Sequence, residues 1–383
     1  MTYCFSQPKR VVFGENVFAD CKDAVLGMGR KALIVTGPIV TKTGLTKRVT
    51  DCLEKWGIRY HIFSGITAEP TDEMVCSGVE VFRETECDFL IGVGGGSPLD
   101  SVKAIAAMTV SKGRIGDYMG KEISGNFPPM ILIPTTAGTG AEATKFTIIT
   151  DVGRDIKMLL KGDDLLPELA VIDPTFTYTA PTGVVAATGM DALTHAVEAY
   201  TSRKGNALTD MYAMDAIRRI FRYLPDAYQE PKDTVARKEM SIAAYEAGVC
   251  INNASVTLVH GMSRPIGALF HVPHGISNAM LIEECLTFAL SGCYSKFAAI
   301  AREIGAATHH MGEQESAGQF LKALGKLCRT LEIPTLREYG IEEEAFLERI
   351  DKMAEDAMAS GSPANTIKEV CKDDLIRIYK KLW

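Results

Sequence analysis

The sequence predicts an α/β domain over residues 1–180 followed by a mainly helical domain over residues 181–383. Three observations carry this. The 383 residues exceed the roughly 250 to 300 at which a single hydrophobic core stops growing, so two domains are expected. Up to about residue 180, short β-rich runs alternate with stretches of helical periodicity, the pattern of a parallel sheet with crossover helices. From Pro181 onward the strand-like runs thin out and helical periodicity dominates.

Taken in order, Ala32–Thr36 (ALIVT) reads as a strand, closed by a turn at Gly37-Pro38 and followed by a patterned helix to about Trp56. Arg59–Phe63 is a second strand and Asp72–Glu84 a helix. Asp88–Val93 (DFLIGV) is a third strand that runs into glycines. A helix over about Pro98–Val110 and an apolar strand at Met130–Ile133 follow. In the second half, Val184–Thr201, Ala207–Phe221 and Ser316–Leu331 carry apolar residues at helical spacing.

Composition bounds the function. With 46% hydrophobic and 23% charged residues the chain is globular, not disordered. A net charge of −7, with no dense Lys or Arg cluster, argues against nucleic acid and anionic membranes and for a small-molecule partner. Residues 1–14 lack an apolar signal segment and no later run holds 18 unbroken apolar residues, so a cytoplasmic location is expected. The ten cysteines are scattered without a C-x-x-C pair, which predicts reduced, mostly buried thiols and no zinc ribbon or redox motif.

Two loops suit a phosphate-bearing cofactor. Gly94-Gly95-Gly96-Ser97 follows an apolar strand and opens a helix, where bare backbone N–H groups meet the positive helix end. The pattern is not G-x-G-x-x-G and sits after the third strand by this count, so the usual dinucleotide fingerprint is absent. Pro134-Thr135-Thr136-Ala137-Gly138-Thr139-Gly140 follows another strand and offers hydroxyls where glycine lets a ligand come close. Both loops belong at the carboxyl ends of strands, where open parallel sheets collect ligands.

Four residues form a candidate metal set. Asp191 and His195, four apart in a helical context, project from one face and suit two ligands of one ion. His260 and His274 each precede a glycine in apolar surroundings. Together they make a three-histidine, one-carboxylate set suited to Fe²⁺, Zn²⁺ or Mn²⁺ that leaves a position open. His271 competes for ligand status and is read as lining the pocket, whereas His61, His309 and His310 are read as structural or surface residues.

These segments resemble the iron-containing (group III) alcohol dehydrogenases along essentially the whole chain. The resemblance rests on Pro8–Gly14 (PKRVVFG), Gly94–Lys103 (GGGSPLDSVK), Pro134–Glu142 (PTTAGTGAE), Gly189–His195 (GMDALTH) and His260–Asn278 (HGMSRPIGALFHVPHGISN). It implies a Rossmann-like dinucleotide-binding α/β domain, an all-helical metal-binding and substrate domain, and a homodimer or higher oligomer. It makes Asp191, His195, His260 and His274 the catalytic metal ligands, with Fe²⁺ the first choice of ion. It also makes Gly94, Gly95, Gly96 and Ser97 pyrophosphate contacts, places Thr135 and Thr136 nearer the nicotinamide, and adds Lys157 and Asp100 to the cofactor site. The implied reaction moves hydride between NAD or NADP and a small primary alcohol or aldehyde.

Three departures sharpen this. Gly37 stands where many NAD-preferring members carry an aspartate, which permits NADP. Glu69 replaces an asparagine and, if it faces the cofactor, repels phosphate. Arg264, four residues after His260, stands where relatives often have another histidine and offers a fork for an anionic group on the substrate. The rival readings are a glycerol or diol dehydrogenase, a neutral short-chain alcohol dehydrogenase, dehydroquinate synthase, and a noncatalytic metal-binding or filament-forming module. Dehydroquinate synthase would need a basic cluster in the helical domain, where Arg264 is the single candidate.

Overall fold

The computed structural model describes residues 2–154 and 156–383. They form two compact units, Ser6–Ala180 and Pro181–Trp383, with the residues up to Phe5 belonging to the second. The first unit holds strands β1 (Arg10–Phe13), β2 (Lys31–Thr36), β3 (Arg59–Phe63), β4 (Phe89–Gly94), β5 (Met130–Pro134), β6 (Phe146–Asp151), β7 (Ile156–Lys161) and β8 (Leu169–Ile172). Six of them make one parallel sheet in the order β1-β8-β5-β4-β2-β3, and β6 and β7 pair as an antiparallel hairpin.

The sheet is parallel because its inner strands are apolar on both faces and need cover on both. Leu33, Val35, Leu90 and Leu132 pack with Val75, Val79, Val102 and Ile105 of the helices Asp72–Glu84 and Gly96–Val110. Ala32, Ile34, Phe89, Ile91, Ile131 and Ile133 pack on the other side with Val49 and Leu53 of the helix Leu45–Trp56. From β2 the chain steps to β3 on one side and then crosses to β4 on the other, so the winding reverses between β2 and β4. The carboxyl ends flanking such a reversal are where ligands bind in this class of sheet. The Thr36 hydroxyl donates to the Val93 carbonyl across this point at 2.8 Å.

Several elements differ from expectation. β1 and β8 are strands of only four residues, too short to carry a readable alternation, and they pair at one edge of the sheet. The triple glycine therefore follows the fourth strand, not the third. Its helix starts at Gly96 instead of Pro98, since proline in a first turn forfeits no helical hydrogen bond. The β6–β7 hairpin was also unforeseen; it buries Thr147, Ile149, Met158 and Leu160 and leaves Ile148 and Leu159 exposed.

The second unit is helical, with one isolated β-bridge, Ser202 to Thr366, among the described residues. Its central helix, Thr182–Tyr200, is buried almost throughout from Val185 to Ala199. Asn206 and Thr209 form a reciprocal cap for the helix Ala207–Gln229, which continues through Pro225 beyond the expected end at Phe221. Asp233 caps Thr234–Ala254. The helices Leu258–Phe270 and His274–Ala289 follow. The cysteines are free but less buried than expected, with Cys4, Cys76 and Cys371 exposed. Among the described residues no helix is long and apolar enough to cross a membrane.

Candidate metal centre and cofactor loops

The buried central helix brings Asp191, His195 and Glu198 onto one stripe at helical spacing. His260 sits in the first turn of Leu258–Phe270, and His274 is the first residue of His274–Ala289. Gly275 lets that last helix approach, because a Cβ there would stand 2.5 Å from the Ala187 carbonyl oxygen. The result gathers one ligand atom from each of Asp191, His195, His260 and His274, all within 4.8 Å of one another. Asp191 Oδ1 lies 3.6 Å from His195 Nε2, 3.6 Å from His260 Nε2 and 3.7 Å from His274 Nε2. The His195 and His260 rings stack with centroids 4.7 Å apart.

Asp191, His195 and His260 are sealed from solvent, while the His274 side chain is 42% exposed and marks the open side. Burial opposes ionisation of Asp191, but His195, His274 and His260 around it outweigh that and hold its carboxyl well below the usual range. Burial likewise opposes a charged His260, and Glu198 and Asp191 more than offset it, so its pKa lies above the ordinary histidine value.

Two neighbours were not foreseen. Glu198 Oε2 lies 2.7 Å from His260 Nδ1. Asn278 Nδ2 donates to Asp191 Oδ1 at 2.8 Å and stands 3.2 Å from both His260 Nε2 and His274 Nε2. Both were within reach of the same helical rule, Glu198 three residues after His195 and Asn278 four after His274. Of the sequence-predicted substrate residues, Arg264 lies one turn beyond His260 on the same helix. Its guanidinium contacts the Ser362 hydroxyl at 3.2 Å, and no carboxylate lies within ion-pair distance among the described residues. His271 is not among the four gathered residues; it is exposed and ends that helix in the left-handed region at φ 54°.

In the first unit the two glycine-rich loops lie side by side. The Thr135 amide donates to the Gly94 carbonyl at 2.9 Å. A Cβ on Gly96 would come 3.2 Å from Thr139 Cγ2, so the triple glycine is what allows the second loop to close in. Among the described residues no side chain caps the helix that begins at Gly96, and the Thr136 hydroxyl is buried with no hydrogen-bond partner. Gly37 ends β2 beside the reversal point, and a Cβ there would meet the Ile66 carbonyl oxygen at 2.8 Å. Asp100 ties its helix to the hairpin, accepting from the Ile148 amide at 2.9 Å. Lys157 on β7 forms an ion pair with Glu69 at 2.6 Å.

Residues 8–174 match the family described as iron-containing alcohol dehydrogenase, and residues 185–383 match its C-terminal part. The chain belongs to the iron-containing alcohol dehydrogenase family. It is therefore an oxidoreductase of the NAD-dependent alcohol dehydrogenase class. Among its relatives, alcohol dehydrogenase 4 of Saccharomyces cerevisiae is 36% identical, the match covering 99% of this chain and 98% of the yeast protein. The crystal structure of a 1,3-propanediol oxidoreductase superposes with a TM-score of 0.97 at 33% identity over all of both chains. A sulfoacetaldehyde reductase from Bifidobacterium kashiwanohense, solved with NAD⁺, gives 0.89 at 27% identity, covering 100% of this chain and 99% of that one.

The iron-type dehydrogenase donor set fits a divalent ion. Asp191 Oδ1 stands 3.6–3.7 Å from each histidine Nε2, the edge of a regular tetrahedron whose centre lies about 2.2 Å from its corners, as zinc-type bonds require, and all four ligand atoms lie within 4.8 Å of one another. The acceptors also outnumber the donors facing them. The Asn278 amide has two N–H bonds for three acceptor atoms, while its own Oδ1 is buried with no hydrogen-bond partner among the described residues.

Proposed function

We propose that the chain moves hydride between NAD(P) and a small primary alcohol or aldehyde at a centre held by Asp191, His195, His260 and His274. The observation that carries this reading is the convergence of three imidazole nitrogens and one ionised carboxylate on a single point with one open side. A divalent ion bound there supplies Lewis acidity, polarising a carbonyl oxygen or easing the loss of an alcohol proton. Asp191 brings the negative charge that offsets the ion. The three histidines serve as neutral donors, with Fe²⁺ the first candidate and Zn²⁺ or Mn²⁺ the alternatives. Backbone amides of Gly95, Gly96 and Ser97 at the helix start, together with Gly94, hold the pyrophosphate, and Thr135 and Thr136 orient the nicotinamide half.

Both nicotinamide cofactors fit this reading. Gly37 leaves no side chain to repel a 2′-phosphate, and Glu69 is neutralised by Lys157 instead of facing a phosphate alone. Lys157 and Asp100 then act mainly through the hairpin beside the loops.

The substrate carries an anionic group, such as a carboxylate or sulfonate, that pairs with Arg264. The supporting observation is a largely enclosed guanidinium with a hydroxyl neighbour and, among the described residues, no carboxylate within ion-pair distance, Glu198 acting on it only from farther off. The sulfoacetaldehyde reductase among the structural relatives acts on a sulfonated aldehyde by its name, whereas the propanediol enzyme favours the rival reading of a neutral alcohol or diol. His271, being exposed, would meet substrate only at the rim. The enzyme is further proposed to be cytoplasmic and a homodimer or higher oligomer. The test is a panel of neutral and anionic aldehydes assayed with NADH and NADPH on protein reconstituted with defined metals. No turnover of any member would favour the noncatalytic module.

A further inference from the structure

Glu198 is a fully buried carboxylate whose oxygens accept from four donors. Oε1 accepts from the Thr257 hydroxyl at 2.8 Å and the Val259 amide at 2.5 Å. Oε2 accepts from the Thr257 amide at 3.0 Å and from His260 Nδ1 at 2.7 Å. Three of these bonds serve the N-terminus of Leu258–Phe270, where Thr257 makes no side-chain cap of its own. Glu198 thus caps that helix from a different helix, and its charge suits the positive helix end.

The fourth bond goes further than capping. A carboxylate accepting at Nδ1 requires a proton there, so the neutral imidazole that a metal needs carries its lone pair on Nε2, the nitrogen that faces Asp191 and Asn278. The same helix that supplies Asp191 and His195 therefore fixes both the place and the tautomer of a ligand on another helix. We propose that Glu198 is a positioning residue of the metal centre, holding His260 in the Nδ1–H tautomer and strengthening Nε2 as a donor. This rests on the reading of Asp191, His195, His260 and His274 as metal ligands.

Glu198→Gln keeps the shape but turns one end into a donor. If that end faces His260, the imidazole must accept at Nδ1 and carry its proton on Nε2, where a ligand cannot have one. If it faces Thr257 and Val259, the helix end loses its acceptors. Thr257→Val removes one hydrogen bond from the same carboxylate without touching His260.

The experiment measures cobalt(II) affinity of the full chain by chelator competition, with the cobalt absorption band as the site signature and NADH affinity as a check on folding. The expected result is a loss of about 10- to 100-fold for Glu198→Gln, the range for removing a carboxylate behind a metal-bound histidine. Thr257→Val should stay within about twofold of wild type, given that it leaves that bond intact. Unchanged cobalt affinity in Glu198→Gln overturns the proposal, as does an equal loss in Thr257→Val, which would make capping the whole role. Should Glu198→Gln not fold, Glu198→Asp decides: its withdrawn carboxylate should weaken cobalt binding, and wild-type affinity would overturn the proposal. The ligand reading fails separately, by wild type showing no cobalt band that His260→Ala abolishes.

Discussion

Replacing His260 by alanine removes one of the four proposed metal donors, and the size of the effect can be worked out in advance. Four-ligand sites release about 10–16 kcal/mol of apparent binding energy, so one ligand accounts for about 2.5–4 kcal/mol. That is a factor of about 10²–10³ in metal affinity. A second cost falls on the protein, since Glu198 stays buried with its bonds to Thr257 and Val259 but loses the imidazole. His260→Ala should therefore lose most bound metal and most turnover together. Cofactor affinity should hold, because the glycine and threonine loops belong to the Ser6–Ala180 unit. The assay is metal stoichiometry after anaerobic reconstitution with Fe²⁺, chelator competition, and turnover on the same samples. Full turnover with one ion per chain would refute the ligand assignment.

Other perturbations separate the remaining claims. Arg264→Ala should raise KM for anionic aldehydes at least tenfold, about the worth of a charge-assisted hydrogen bond, and spare neutral ones; equal changes for both would remove the anionic group from the substrate. Gly96→Val places a branched side chain where a Cβ already stands 3.2 Å from Thr139, so NADH affinity should fall by an order of magnitude or more while metal content stays normal, as titration calorimetry would show. Glu246 has its pKa raised to about 8, first by burial and then by Asp215. Its native form holds a proton that the unfolded chain releases above its ordinary value of 4.5, so its contribution to stability is full below that value and is lost as pH rises toward 8. Glu246→Gln should flatten the fall of Tm across that range, and parallel curves for variant and wild type would rule the effect out.

The sheet's inner strands were legible because they are covered on both faces, which leaves unbroken apolar runs such as ALIVT and MILI. β1, β8 and the β6–β7 hairpin were not. Four-residue strands carry too few side chains for periodicity to register, and the hairpin carries apolar Ile148 and Leu159 on its exposed face as well as Ile149 and Met158 on its buried one, so no apolar/polar alternation marks it in the sequence. Gly37 shows a different limit. Its sequence suggests a statement about the cofactor, while in the fold the Ile66 carbonyl already excludes a side chain there.

The metal set divides the same way. Asp191 and His195 could be paired from sequence because helical periodicity acts over four residues, and that rule extended one turn further reaches Glu198. That His260 and His274 stand beside them depends on the packing of three helices, which brings the four candidate ligand atoms within 4.8 Å of one another. Local pattern, which reflects which face of each element is buried, determined the α/β and helical halves and the candidate residues. Tertiary packing alone decided that Glu198 meets His260 rather than solvent, that Asn278 faces three acceptors, and that among the described residues no carboxylate comes within ion-pair distance of Arg264, since such contacts depend on how distant elements dock and not on their own periodicity.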